Sequence, residues 1–208
     1  MLLKGKFQNG RSGERTRKLL VVVQYTASMI LLCGTLIVFA QLNYMRRQSL
    51  GVRTDRILVV KFPGPTEGMK IKMEAMRKAI RKLPLVSKVT CSGSVPGEEV
   101  AMFLSNRRTH DALKQNRLYE MLSCDPDYMD AYGLELVAGR GFSEDYGDDV
   151  NKLVINETAA RTLGYTDYES VIGEEISVET IEEPMQVIGV VKDYHQQALN
   201  RNYTPIML

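Results

Sequence analysis

The chain has 208 residues, 44% hydrophobic and 25% charged, with 27 Lys/Arg against 25 Asp/Glu. That balance fits one or two globular domains and excludes a disordered tail. A net charge of +2, the absence of Trp and 7% aromatics exclude a dedicated nucleic-acid groove and argue against carbohydrate or base stacking.

The near-neutral total hides a segregated charge. Residues 1–18 hold six Lys/Arg against Glu14, a net +5, and residues 19–40 hold no charge at all. Residues 41–56 add +3 through Arg46, Arg47, Arg53 and Arg56 against Asp55, which leaves −6 on residues 57–208. A basic head, a neutral block and an acidic body follow one another along the chain.

The neutral block, Leu19–Ala40, is 22 residues without charge, Pro or Asn. As a helix at about 1.5 Å per residue it reaches roughly 33 Å, enough for a hydrocarbon core of about 30 Å. Twelve of its residues are Leu, Ile, Val or Phe, each favouring insertion by roughly 0.3–0.6 kcal/mol. A buried soluble helix of that length would carry charge, and a signal peptide has a shorter apolar run ending in a small-x-small site. The chain here runs on into Gln41-Leu42-Asn43-Tyr44. The span is therefore expected to lie in a membrane. The excess of positive charge before it places the N-terminus in the cytoplasm and the acidic body outside.

Gln24, Ser28 and Thr35 fall within about 40° of one another on this helix, with Ala27 and Gly34 beside them. Small and polar residues on one stripe suit packing against other membrane helices. The alternative is that each hydroxyl satisfies its own backbone carbonyl. Gln24 tilts the expectation toward a partner.

Beyond the span, helix is expected to continue through Gln41–Leu50 until Gly51. Ile57–Phe62 reads as a buried strand and Leu85–Ser94 as another. Between them a helix capped by Thr66 runs to Lys82, and together they make a β-α-β unit. That helix carries an apolar seam of Met69, Met73, Met76, Ile80 and Leu83, and its other face bears six Lys/Arg with Glu74, the pattern of a solvated face. Ser105–Arg117 reads as polar loop and Leu118–Cys124 as a strand. Asp125 caps a short helix with Pro126 in its first turn, and Gly133 closes it. Asn151–Ile155 is a strand, Asn156 caps a helix ending at Gly164, and Glu175–Val178 and Met185–Val191 are further strands.

Motifs for chemistry are sparse. The chain has no G-x-x-x-x-G-K-[ST] run, and Gly139-Arg140-Gly141 lacks the third glycine of a dinucleotide fingerprint. Asp193 and His195 would share a face if they lay on a strand, and such a pair can do acid–base work. With no third ligand nearby, an exposed loop pair is the simpler expectation. Cys33 lies in the span. Cys91 and Cys124 stand in expected strands on the oxidising side, where two separately buried thiols are expected and a disulfide is the alternative. Neither a cofactor nor a metal site is expected.

Leu3-Lys4-Gly5-Lys6-Phe7 and Arg17-Lys18-Leu19-Leu20-Val21-Val22-Val23-Gln24-Tyr25-Thr26-Ala27-Ser28 resemble an FtsX-type ABC transporter permease. Gln41-Leu42-x-Tyr44-Met45 followed by Gln48-x-Leu50-Gly51 is similar to Bacteroidetes members. Asp127-Tyr128-Met129, Tyr132-Gly133-Leu134, Gly139-Arg140-x-Phe142, Val154-Ile155-Asn156-Glu157-Thr158-Ala159-Ala160 and Val187-Ile188-Gly189-Val190-Val191-Lys192-Asp193-Tyr194-His195 resemble a MacB-like periplasmic core domain.

The resemblance implies an α+β protein: one transmembrane helix followed by a mixed α/β periplasmic domain, in which a porter-like β-α-β half holds an inserted strand-rich subdomain. Residues 1–18 would be the cytoplasmic basic segment, 19–40 the span in the bacterial inner membrane and 41–56 its periplasmic helix extension, with all of 41–208 in the periplasm. Residues 57–94 would form the first porter-like half, 95–184 the insertion and 185–208 the start of the second half. The resemblance also implies a piece of a longer, non-catalytic permease that couples ATP hydrolysis by a separate ABC ATPase subunit or domain to periplasmic motion. Its partners would be that ATPase, other permease membrane helices (in a permease dimer as one option) and the lipid bilayer, with no nucleic acid. A single-span receptor with an extracytoplasmic sensor domain is the rival. A membrane-anchored hydrolase using Asp193 and His195 is a distant third.

Overall fold

The computed structural model describes residues 11–62, 68–109, 116–143, 146 and 149–208. These fall into two compact units that divide between Gln48 and Ser49. The first is one helix, α1 (Arg11–Arg47), whose 37 residues extend about 55 Å. Glu14 in its first turn and Arg46 and Arg47 in its last complement the helix dipole. Every side chain from 13 to 42 is exposed, including Leu31 at 72% and Ile30 at 66%. A helix apolar on all sides, with nothing of its own unit to bury it, has the length and composition of a membrane span.

The second unit is built around a sheet. Its strands are β1 (Phe103–Arg108), β2 (Arg117–Met121), β3 (Leu136–Gly139), β4 (Lys152–Asn156), β5 (Glu175–Val178), β6 (Met185–Val191) and β7 (Ile206–Met207). One edge of β6 runs parallel to β4 along its whole length. The other edge is shared: its first residues pair with β5 and its last three with β3. β4 meets β7 at Ile155 and Met207, β7 runs parallel to β2, β2 and β1 are antiparallel, and β1 pairs with β5. The circuit β6-β4-β7-β2-β1-β5 therefore closes on itself, which removes the free edges of an open sheet, and β3 is added at its flank.

The pleat separates two cores. Leu153, Ile155, Val187 and Met207 point to one side, where α4 (Glu157–Thr162) contributes Ala159 and Ala160. Val154, Ile188, Val191 and Ile206 point to the other, where α3 (Tyr128–Tyr132) lays down Tyr128, Met129 and Tyr132. β4 and β6 are thus covered on both faces, which explains their unbroken apolar runs.

Several sequence expectations need correction. Ile57–Phe62 and Leu85–Ser94 form no strands beyond an isolated bridge from Ser92 to Cys124. A β-branched run becomes a strand only when a neighbour supplies a ladder, and among the described residues none does; Leu58 is 87% and Leu85 99% exposed. Of the β-α-β unit only its helix forms, α2 (Met69–Arg81), with Met73, Met76 and Ile80 half-buried; the Thr66 cap lies outside the described residues. The expected polar loop at Ser105–Arg117 contains most of β1, a strand set by β2 and β5 on either side of it. The helix extension stops at Arg47. β6 and β7, from residues 185–208, pair with strands of residues 95–184 and close the circuit.

Candidate functional site: the anchor of the connector

The chain that leaves α1 enters the second unit at Ser49, and its first residues are fixed there. The Ser49 hydroxyl accepts a hydrogen bond from the Gly51 N–H at 3.2 Å, a local turn. The Leu50 carbonyl accepts from the His195 N–H at 2.8 Å. Gly51 has φ +75, and a Cβ there would lie 3.0 Å from the Tyr194 Cβ and 3.1 Å from the Asp193 carbonyl. Left-handed backbone and close approach together call for glycine. Val52 packs into the α3 core.

Arg53 completes the anchor. Its N–H donates to the Tyr132 carbonyl at 2.7 Å and its Nη2 to the Asp130 carbonyl at 2.9 Å. The guanidinium lies over Gly133 (φ +63), where a Cβ would come within 2.3 Å of Nε. Gly133 is the αL residue that closes α3: its N–H returns to Asp130 and that of Leu134 to Met129. The connector thus reads the carbonyl end of α3, whose last carbonyls have no partner within the helix. Lys88 pairs with the Asp130 carboxylate from outside. Beside the anchor is an open groove of about 560 Å³ whose floor includes Met129, Leu134, Leu136 and Phe142.

The loop ahead of α3 is tied down from another direction. Arg77 donates to the Asp127 carboxylate at 2.7 Å and lies 3.4 Å from Asp125, and Arg81 also bonds Asp127. The cationic face expected to be solvated is therefore partly spent on α3. Asp125, expected as a helix cap, instead accepts from the Thr90 hydroxyl and from the Cys91 N–H at 2.9 Å. It holds the neighbouring segment, and Asp127, at the N-cap position of α3, makes no side-chain cap hydrogen bond. Cys91 and Cys124 are free thiols. Burial pushes the Cys124 thiol up to about 12, so it stays protonated and unreactive.

Asp193 and His195 do not form a pair. β6 ends at Val191, so the alternation that would have set both on one face stops before them. The Asp193 carboxylate accepts from the Thr158 N–H and hydroxyl, each at 2.8 Å, and from Arg161, which fixes the first turn of α4. The His195 ring stacks on Tyr203, with centroids 4.5 Å apart. Among the described residues no group of three or more His, Cys, Asp or Glu is placed to hold a metal.

On α1, the Ser28 hydroxyl donates to the Gln24 carbonyl at 2.9 Å and that of Thr35 to Leu31 at 2.8 Å. The side-chain amide of Gln24 makes no hydrogen bond among the described residues. It is the polar group of the stripe that the helix itself does not satisfy. Sequence reasoning took Gly51 as a helix stop and Arg53 only as a charge. No local spacing could have marked Arg53, since its partner Asp130 is 77 positions away.

The model of the family described as MacB-like periplasmic core domain matches residues 26–207. No curated protein matches the chain. Similar solved structures include the following two. One is the extracellular domain of the noncanonic ABC-type transporter YknZ from Gram-positive bacteria: 19% identity, 64% of this chain, 59% of that chain, TM-score 0.46. The other is the periplasmic region of MacB from Actinobacillus actinomycetemcomitans: 18% identity, 69% of this chain, 68% of that chain, TM-score 0.44. The chain spans about three fifths of the length of the first.

Proposed function

Because the chain belongs to the MacB-like periplasmic core domain family, we propose that it is a non-catalytic, membrane-anchored segment of an ABC-transporter permease, with its body outside the membrane. In this reading a separate ABC ATPase subunit or domain hydrolyses ATP in the cytoplasm. Helix α1, with its basic N-terminus on the cytoplasmic side, relays the resulting motion to the body. Residues 57–94 serve as the first porter-like half, 95–184 as the insertion and 185–208 as the returning half. Gln24, Ser28 and Thr35 face other permease helices or a second permease copy, where the unanswered amide of Gln24 finds a partner.

The observation that carries this reading is the anchor. A receptor or enzyme needs only a tether after its membrane helix, whereas force reaches a domain only through a connector that is fixed to it. Leu50 and Arg53 bond to His195, beyond the end of β6, and to the end of α3, and Gly51 allows the close approach.

The test is to co-express the complete permease with its ATPase and purify both in detergent. Co-purification is expected, together with coupled ATPase activity that falls several-fold when a short Gly-Ser insert after Gln48 lengthens the connector while assembly persists. Absence of any co-purifying nucleotide-binding subunit overturns the permease reading. Unchanged coupling with the insert overturns the role of the anchor.

A further inference from the structure

Residues 193–205 form a strap without helix or strand that bonds to Glu120 of β2 through Gln197 and the Pro205 carbonyl. At its start Tyr194 is buried in the α3 core, and beyond Tyr194 its hold is mostly side-chain hydrogen bonding. Gln196 donates from Nε2 to the carbonyls of Val95 at 2.9 Å and Glu98 at 3.2 Å, and the Gly97 N–H returns to the Gln196 carbonyl at 2.8 Å. Arg201 lies 3.5 Å from Glu99. Segments held this way open at lower free energy than a paired sheet.

Beneath the strap, in the middle of β2, is a carboxylic acid. Glu120 is 2% exposed. Its Oε1 accepts one hydrogen bond, from Gln197 Nε2 at 3.1 Å, while its Oε2 is buried without a partner. Phe103 of β1 and Ile206 of β7 stand opposite it in the ladders and bring no charge. The charged and titratable groups around it are Glu99 from the segment before β1, and Arg201 and Tyr194 from the strap. Arg201 is itself paired with Glu99. Among the described residues no cation forms an ion pair with Glu120, and Arg201 is the weakest influence on its carboxyl. Gln196 and Gln197 also leave Oε1 atoms buried and unpartnered. With Tyr194, Arg201 and Thr204 they line a cavity of about 10 Å³, room for roughly one water.

A carboxyl that only the neutral side chains of Gln197 and Thr204 help to hold is far costlier to bury ionised than as the neutral acid. We infer that Glu120 is a proton-binding site that latches the strap, closed while the carboxyl is neutral and released when it ionises. On ionisation the O–H bond breaks, the proton passes to solvent water, and the carboxylate gains hydration only if the strap lifts. Burial holds the Glu120 carboxyl above the ordinary carboxylate range, against the opposing hydrogen bonds from Thr204 and Gln197. An acid whose folded-state pKa is raised contributes stability at low pH that is lost as pH rises through that pKa, so the window lies above the ordinary carboxylate value. The strap includes His195, whose N–H donates to the Leu50 carbonyl, so the latch bears on the connector as well.

The test is amide hydrogen exchange on the full chain in detergent micelles between about pH 5 and pH 8, corrected for intrinsic rates. Protection of the Gly97 and His195 amides is expected to fall by up to about tenfold per pH unit above the Glu120 pKa, relative to amides of β4 and β6. In Glu120→Gln that slope disappears. An equal slope in Glu120→Gln, or no slope in the native chain, overturns the inference. Should the variant fold poorly, carbon NMR of the native chain with labelled glutamate carboxyls decides. One carboxyl titrating above the others, in step with strap exchange, supports the latch; all titrating in the ordinary range overturns it.

Discussion

Asn156 shows how one residue serves both a local and a long-range requirement. Its Oδ1 accepts from the Ala159 N–H, the N-cap of α4, and also from the Ile206 N–H of β7, each at 2.9 Å. Its Nδ2 donates to the Thr204 carbonyl at 2.8 Å. Asn156→Ala is expected to cost about 3 kcal/mol, the cap loss plus two buried backbone groups left unpaired, read as a lower midpoint in urea unfolding. A loss of only about 1 kcal/mol would mean that only the cap matters. The cap was legible because a cap is a three-residue pattern. The bonds to Thr204 and Ile206 were not, since those partners lie 48 and 50 positions away. The same distinction separates Gly133, marked by its place after a short apolar helix, from Arg53, whose side chain covers it.

At the scale of elements, periodicity found what one element decides by itself. β5 and β6 form over the ranges their apolar patterns predicted, and α2 half-buries Met73, Met76 and Ile80 of its seam. Periodicity failed where a neighbour decides. β1 carries Ser105, Asn106, Arg107 and Arg108, yet it is a strand because ladders occupy both its edges. Ile57–Phe62 has better β-forming residues and no ladder. The cationic face of α2 is a similar case, since Arg77 meets Asp127 across 50 positions. Asp127→Ala should release α2 from α3 at a cost of about 1–2 kcal/mol, seen as roughly tenfold faster exchange across 71–81 with β4 and β6 unaffected. Uniformly faster exchange would show that the ion pair supports the whole unit and not α2 in particular.

For the whole molecule, the anchor makes the connector part of the body's fold. The chain comprising residues 49–208 is expected to unfold in one transition. Removing residues 49–56 takes away the three hydrogen bonds made by Leu50 and Arg53 and the packing of Val52. The shorter chain, 57–208, should be less stable by about 2–3 kcal/mol, from roughly 1 kcal/mol per hydrogen bond. Equal urea midpoints for the two chains would show that the connector rests on the body without supporting it. Exposed Leu58 and Leu85 should make both self-associate as concentration rises.

By itself the sequence determined what depends on composition and short-range pattern: a charge-free span after a basic head, an acidic body, and capped helices and apolar strands of the mixed α/β type. Each follows from solvation or local hydrogen bonding, which adjacent residues settle. The closed six-strand circuit, the fixing of Arg53 on α3, the separation of Asp193 from His195 and the lone carboxyl beneath the strap were decided by tertiary structure. Their reason is shared: each depends on which distant backbone or side chain arrives to accept, donate or exclude water, and no spacing along the chain encodes that arrival.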